Sequence, residues 1–264
     1  MANLESPGTT ETTLRRGVNI LFLLGEERSV RRGGLGVAQI AAALELDKGQ
    51  VSRTLRTLDE CGAVSRDHET LQYRLSWRLY ALAARAGTDR LVATAAPVMQ
   101  RLREACQETV YLSVLEGCEV LTVRSEVAER VVQSTDMAGR LSPAYCSSAG
   151  RALLFDHSRD ALDGIFAGVK FQQLAPRTPT SLAEMLDRLE KDRAQGVSVV
   201  VEEYEPGLVG VAAPVRDQGG RIVAALNVSA PKYRMLERTE FAAQKVCESS
   251  DILSRQLGYE GLSD

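Results

Sequence analysis

Between Val37 and Leu75 the spacing of apolar residues changes period twice, and few folds admit that order of changes. Val37–Leu44 places Ile40, Ala41 and Leu44 on one side of a short helix. Glu45-Leu46-Asp47 then makes a turn. A longer helix follows over about Lys48–Glu60, with Val51, Leu55 and Leu58 at i, i+4 and i+7. Gly62 is placed to stop it as a C-cap glycine. After it Val64, and then Leu71, Tyr73 and Leu75, alternate with polar residues across a polar tip, the period of a two-stranded ribbon. Two helices, a tight turn and a trailing ribbon predict a winged helix-turn-helix.

A helix that reads DNA buries one stripe and leaves hydrogen-bond donors on the other side. With Val51, Leu55 and Leu58 turned inward, Lys48, Gly49, Gln50, Ser52, Arg53, Arg56 and Thr57 are left mostly outward. Gln can bond an adenine edge in two places, and Arg can do the same to guanine. Residues at the start of such a helix usually meet base edges, so Lys48, Gln50 and Arg53 are the expected readers. Ser52 can reach a base or a phosphate, and Arg56 is expected on the backbone. Arg66 and Arg74 on the ribbon could follow the backbone or simply solvate a strand. An amphipathic helix with arginines on its wet side is common by itself. The preceding helix, the short turn and the ribbon are what point this one to DNA.

The rest of the chain is organised around that segment. Residues 1–13, polar with Pro7 and Gly8, read as a disordered tail. A helix from Leu14 carries Val18, Leu21, Phe22 and Leu24 at helical spacing, until Gly33, Gly34 and Gly36 break it. Residues 14–76 form the expected winged helix-turn-helix. Residues 77–96, rich in Ala, Leu and Arg and free of proline until Pro97, are expected to be a linker helix. Residues 97–264 make the larger domain. Its helices are expected at Val98–Gln107, Ala149–Phe155, Asp160–Phe166, Leu182–Ala194 and Leu236–Leu257. Its strands are expected at Thr109–Leu115, Glu119–Arg124, Arg130–Thr135, Val197–Val201, Leu208–Pro214 and Ile222–Ser229. Strands in meander order with helices packed on them are an α+β pattern.

Composition narrows the function. At 264 residues, 44% hydrophobic and 25% charged, the chain can build real cores in about two domains. No apolar run approaches the roughly 18 residues of a membrane helix, and the polar start predicts no secretory signal. The five cysteines, at 61, 106, 118, 146 and 247, form no CxxC pair, so reduced thiols in a cytoplasm are expected, with neither metal nor cofactor. Residues 1–78 carry 11 Lys/Arg against 10 Asp/Glu, and residues 79–264 carry 21 against 25. That bias permits DNA binding without proving it.

Three separate stretches resemble one family. "VAQIAAALELDKGQVSRTLRTLDECGAVSRDHETLQYRL" is similar to the N-terminal half of IclR-type regulators. "GRLSPAYCSSAGRALL" (Gly139–Leu154) resembles their segment entering the effector pocket. "VVVEEYEPGLVGVAAPVRDQGGRIVAALNVSAP" (Val199–Pro231) resembles their C-terminal signature. The resemblance implies a GAF-like effector-binding domain and a homodimer, commonly assembled as a dimer of dimers. It implies binding to a double-stranded DNA operator, altered by a small organic effector such as a carboxylic acid or an aromatic metabolite. Repression is the expected output, although the resemblance covers activators too. Carried over residue by residue, the effector site comprises Ser147, Ser148, Ala149, Val200, Glu202, Gly210, Asn227 and Ser229. Relatives that bind small acids can place Asp at the position of Val200 and Cys at that of Gly210. Without those side chains the pocket is expected to be wider and drier, suited to a larger, less charged ligand. Ser147 and Ser148 also read as plain helix N-caps.

Enzyme chemistry is the main alternative. His68 and His157 are the only histidines, and no GxSxG, GxGxxG after a strand, P-loop or HExxH occurs. Glu202 and Glu203, as neighbours on a strand, are expected to face opposite ways and not to converge on a substrate. Cys146 beside Ser147 reads as a half-buried inert thiol or, less simply, as a nucleophile or redox sensor. An interaction module that kept the fold and lost DNA binding is the second alternative, and the intact outward set on the Lys48 helix argues against it.

Overall fold

The structure, a computed structural model, describes residues 12–84, 88–130 and 134–261. The expected tail over residues 1–13 lies outside them except for its last two. Thr12 is the N-cap of the first helix, accepting the Arg15 N–H at 3.2 Å, and Thr13 is already helical. Contacts divide the chain into two compact units, Met1–Asp89 and Arg90–Asp264.

The first unit runs α1 (Thr13–Gly25), α2 (Glu27–Arg31), α3 (Val37–Ala43), α4 (Lys48–Glu60), β1 (Val64–Arg66), β2 (Tyr73–Leu75) and α5 (Trp77–Ala84). Ile20, Leu24, Ile40, Val51, Leu55, Val64 and Tyr73 form its core. Val51 and Leu55 are wholly buried, each stabilising by about 1.5–3 kcal/mol on transfer grounds. The turn between α3 and α4 closes on Glu45, whose φ of 55° puts a non-glycine residue in the left-handed region. That conformation lets the Leu46 N–H reach back to the Ala41 carbonyl at 2.9 Å. The ribbon pairs Val64 with Leu75 and Arg66 with Tyr73, and Leu35 bridges to Tyr73 from its other side. Gly34 makes that bridge possible: at φ 129°, a Cβ there would lie 2.5 Å from the Tyr73 carbonyl oxygen. Leu71, expected in the alternation, instead sits exposed in the wing tip at φ 57°.

One expected stripe is divided between two sides. On α1 the buried positions are Gly17, Ile20 and Leu24, while Leu14, Val18 and Phe22 are exposed at 79%, 39% and 70%. The apolar residues of α1 therefore line two sides of the helix, only one of which packs within the unit.

Helix α6 (Thr88–Cys106) runs straight through Pro97. The expected single linker over 77–96 and separate helix from Val98 are thus replaced by α5 and α6, with residues 85–87 outside the description. Proline usually ends a helix because it removes an N–H and crowds the carbonyl four residues back. Here Pro97 is exposed, so the Ala93 carbonyl can take water, while Ala95, Val98, Met99 and Leu102 pack into the core from the opposite side. Tertiary packing overrides the local cost.

The second unit continues with β3 (Thr109–Glu116), β4 (Glu119–Glu126), β5 (Leu141–Pro143), a 3-10 turn (Ala144–Cys146), α7 (Ser148–Leu153), α8 (Arg159–Ile165) and α9 (Leu182–Gln195). It ends with β6 (Ser198–Val201), β7 (Leu208–Arg216), β8 (Ile222–Pro231), α10 (Lys232–Met235), a 3-10 turn and α11 (Thr239–Gln256). The strands form one antiparallel sheet in the order β5-β4-β3-β8-β7-β6. Helices α6 and α11 pack on one face, over Val110, Leu112, Val211, Leu226 and Val228. Helices α7, α8 and α9 pack on the other, with Ala212 and Ala225. A sheet with helices on both faces is the GAF-like, α+β arrangement.

The strand expected at Arg130–Thr135 is not one in its described residues, 130, 134 and 135. Side chains from the sheet surface satisfy that backbone in place of a ladder. The Thr109 hydroxyl donates to the Ser134 carbonyl at 3.2 Å and the Tyr111 hydroxyl to the Thr135 carbonyl at 2.7 Å.

Candidate functional site

Asp47 opens α4 as its N-cap, accepting the Gln50 N–H at 3.0 Å. The helix then alternates burial: Val51, Thr54 and Leu55 are inside, and Lys48, Ser52, Arg53 and Arg56 are exposed. Gln50 is half-buried and Leu58 packs against the core as a half-buried flank. Lys48 and Arg53 have no acidic partner among the described residues. Arg56 meets Glu60 at 3.8 Å, an exposed pair of little energetic weight. Thr57 is turned back on the helix, donating to the Arg53 carbonyl at 3.2 Å. Arg66 on the wing is exposed and stacks over the Tyr73 ring at 5.6 Å. The structure therefore leaves one cationic, donor-rich side of α4 uncovered within its unit, flanked by the wing.

In the second unit the register aligns Val200 with Gly210, Gly210 with Ser229, and Ser229 with Thr109, in one row across four strands. The next row holds Ser198, Ala212, Asn227 and Tyr111. Successive rows two residues apart share a face, so the sheet brings together residues far apart in sequence. Helix α7 lies on that face. Ser147 is its N-cap, accepting the Gly150 N–H at 3.2 Å, so for this serine the capping role is real. Ser148 is buried in the helix and accepts a 2.6 Å bond from the Asn227 amide, whose oxygen takes the Ser229 hydroxyl at 3.0 Å. A Cβ on Gly210 would lie 2.7 Å from Ser148 Oγ and 3.4 Å from Asn227 Nδ2. The expected widening at Gly210 is thus not an opening: Ser148 and Asn227 occupy the notch that the missing side chain leaves. Val200 and Ala149 are buried beside this cluster.

Glu202 departs from its expected place. Strand β6 ends at Val201, and Glu202 turns to φ 54°. Its carboxylate bonds Lys232 Nζ at 2.5 Å and the Gly207 N–H at 3.1 Å, with the Lys232 bond foremost in holding it below the usual range. Glu202 and Glu203 do diverge, but through this left-handed turn instead of strand alternation. Glu203 goes inward and meets Arg151 at 2.8 Å and Arg188 at 3.0 Å.

That inward cluster was not legible in the sequence. Arg151, 1% exposed, also meets Asp192 at 2.7 Å, the Val199 carbonyl at 2.8 Å and Ser198 Oγ at 3.3 Å. One guanidinium thereby ties α7, which carries Ser148, to α9, to β6, which carries Val200, and to the loop after β6. Burial holds the Asp192 carboxyl above its ordinary range despite Arg151 beside it. Tyr111 and Tyr204 were also missed. Burial raises both phenols, Tyr111 to about 12, and Tyr204 lies near enough that its charge would add to the rise at Tyr111. Only their aromatic character marked them. Burial pushes the Cys146 thiol to about 12, leaving it protonated and inert. Among the described residues no group of three His, Cys, Asp or Glu side chains could hold a metal ion.

An exposed cationic donor surface on a winged helix-turn-helix, joined to an α+β domain with a polar cluster between helix and sheet, defines a two-domain transcription regulator. Comparison agrees. The IclR helix-turn-helix domain matches residues 13–68, and the bacterial transcriptional regulator IclR C-terminal domain matches residues 85–255. This chain belongs to the IclR family. The HTH-type transcriptional regulator KdgR of Escherichia coli strain K12 is 29% identical over 260 residues, 98% of this chain and 97% of the relative. The HTH-type transcriptional repressor AllR of Salmonella typhi is 29% identical over 261 residues, 96% and 94% of the two chains. Among solved structures, an IclR homologue from Microbacterium hydrocarbonoxydans complexed with 4-hydroxybenzoate shares the fold, with a TM-score of 0.80 at 23% identity, covering 93% of this chain and 99% of that one.

Proposed function

We propose that the chain is a repressor without catalytic activity that binds an operator as a homodimer, or a dimer of dimers, in the cytoplasm. The observation that carries the reading is the uncovered side of α4, where Lys48, Ser52 and Arg53 stand exposed ahead of Arg56 while Val51 and Leu55 lock the helix in place. In this reading Lys48, Gln50 and Arg53 meet base edges, Ser52 reaches a base or phosphate, and Arg56 and Arg66 follow the backbone. Dimerisation has a candidate surface in Leu14, Val18 and Phe22, an apolar line along α1 exposed within the chain, since such lines usually mark contacts. No described helix is long and apolar enough to cross a membrane.

The effector is a small organic molecule, an aromatic compound or carboxylic acid derivative, held around Ser147, Ser148, Ala149, Val200, Gly210, Asn227 and Ser229. Tyr111 and Tyr204 join this set, and Glu202 serves it by shaping the loop. The complex of a relative with 4-hydroxybenzoate supports an aromatic ligand. A ligand shifts the DNA-binding equilibrium only by its difference in affinity for two arrangements. In this mechanism ligand binding re-spaces the two recognition helices of the dimer, whose half-sites lie a fixed helical distance apart.

The test is retardation of a fragment from the chain's own promoter region at moderate salt. Arg53→Ala should weaken operator binding by about 1–3 kcal/mol and relax specificity at one base pair. Equal binding of operator and scrambled DNA by the parent protein would refute the operator reading.

A further inference from the structure

The direction of hydrogen bonding between Ser148, Asn227 and Ser229 is settled by a neighbouring carbonyl. The Val211 oxygen lies 3.4 Å from the same Asn227 amide atom that contacts Ser148. A carbonyl oxygen accepts only, so that atom must be the –NH2. The amide therefore donates to Ser148 Oγ at 2.6 Å, and its oxygen accepts the Ser229 hydroxyl at 3.0 Å. The bonds run one way, from Ser229 through Asn227 to Ser148. They end on the hydroxyl hydrogen of Ser148, for which no described residue supplies an acceptor.

Ser148 is 3% exposed. Buried donors in folded proteins are almost always satisfied, and bonds in a chain strengthen the one at the end. The missing side chain at Gly210 keeps the serine in this position, since a Cβ would come within 2.7 Å of its oxygen. We infer that the inner end of the effector is an uncharged hydrogen-bond acceptor, a carbonyl or hydroxyl oxygen, received by Ser148 with Asn227 as the residue that fixes donor polarity. This deepens the effector reading above and rests on it.

The surrounding charges argue the same way. Arg151, the buried cation on α7, is matched by Asp192 and Glu203, and Glu203 also takes the half-buried Arg188. Neither cation offers surplus positive charge at Ser148. A carboxylate at this depth would lose its water for a single hydroxyl bond, a poor exchange. An ammonium end would meet the donor hydrogen of Ser148. An acid group on the effector therefore belongs at its outer end.

Three matched probes test this on the full chain: acetophenone, benzoate and benzylamine, which differ in the one polar end. Calorimetry on the parent protein should rank acetophenone tightest, by tenfold or more. Asn227→Asp is close to isosteric and replaces the amide donor by an acceptor. Ser148 then turns its hydrogen to that carboxylate, and the preference for the ketone should disappear. Ser148→Ala should remove it as well, with circular dichroism showing that both variants fold. Benzoate or benzylamine binding tighter than acetophenone, no binding by any of the three, or a ketone preference that survives N227D would each overturn the inference. Operator retardation is measured on the same samples. Intact operator binding with the wrong ligand order refutes this site chemistry alone, whereas lost sequence-specific DNA binding in the unliganded parent refutes the regulator reading.

Discussion

Replacing Arg151 by methionine keeps an unbranched apolar stem and deletes the guanidinium with its charge. The guanidinium spans Asp192 at 2.7 Å, Glu203 at 2.8 Å and the Val199 carbonyl at 2.8 Å, in a position 1% exposed. Glu203 would keep Arg188 at 3.0 Å, but Asp192 would keep no cation, only the Ser198 hydroxyl at 2.6 Å and the Val199 N–H. Breaking one side of a buried ion pair costs about 3–5 kcal/mol, because the partner stays buried without compensation. For a domain of this size that is a fall of roughly 10 °C in melting temperature, at about 2–4 °C per kcal/mol. The loss should depend on pH in a definite direction. Burial already holds the Asp192 carboxyl above its ordinary range. A group whose folded pKa exceeds its unfolded one lends stability fully below the unfolded value, and that stability is lost as pH rises through the folded value. Arg151 is the first of the influences that oppose the rise. Its removal lifts the carboxyl further, so R151M should be most destabilised near pH 8 and least near pH 5. Urea unfolding at the two pH values measures this, and adding Asp192→Asn should recover part of the loss at pH 8. A loss below about 1 kcal/mol, or one equal at both pH values, would refute the reasoning.

Further outcomes can be checked alongside. Gly34→Ala would place a Cβ 2.5 Å from the Tyr73 carbonyl at φ 129°, so it should cost roughly 3 kcal/mol and unfold the first unit at lower temperature, visible as a separate transition by calorimetry. Cys146, with its thiol pushed to about 12 and its side chain buried, should resist alkylation by iodoacetamide at pH 8 in the folded protein and react after denaturation, while the exposed Cys61 reacts at once. Arg56→Ala should leave melting unchanged within about 0.5 kcal/mol, since its partner Glu60 is also exposed, and should lower the salt slope of operator binding by about one unit if it holds a phosphate.

The first unit was largely legible because its elements are local. The α4 stripe of Val51 and Leu55 follows from residues a few positions apart, and the Val64–Leu75 pairing from alternation across one short tip. The linker failed at Pro97, where the sequence shows the proline and not the sheet that Val98, Met99 and Leu102 pack against. The expected strand at 130–135 is not one at its described residues, where Thr109 and Tyr111, over twenty residues away, bind the Ser134 and Thr135 carbonyls with side chains. At the effector site the resemblance named Ser148, Gly210, Asn227 and Ser229, yet the reading of Gly210 as open space needed the position of Ser148 to correct it.

The sequence by itself determined the reading head, the two-part order of the chain and the family, since period, caps and turn residues act over one or two helical turns. Tertiary structure alone decided that Arg151 is buried among carboxylates, that Glu202 curls away to Lys232, and that Ser148 fills the notch at Gly210. Those facts depend on which distant strands lie side by side. Register across β3, β8, β7 and β6 sets that, and no local spacing records it.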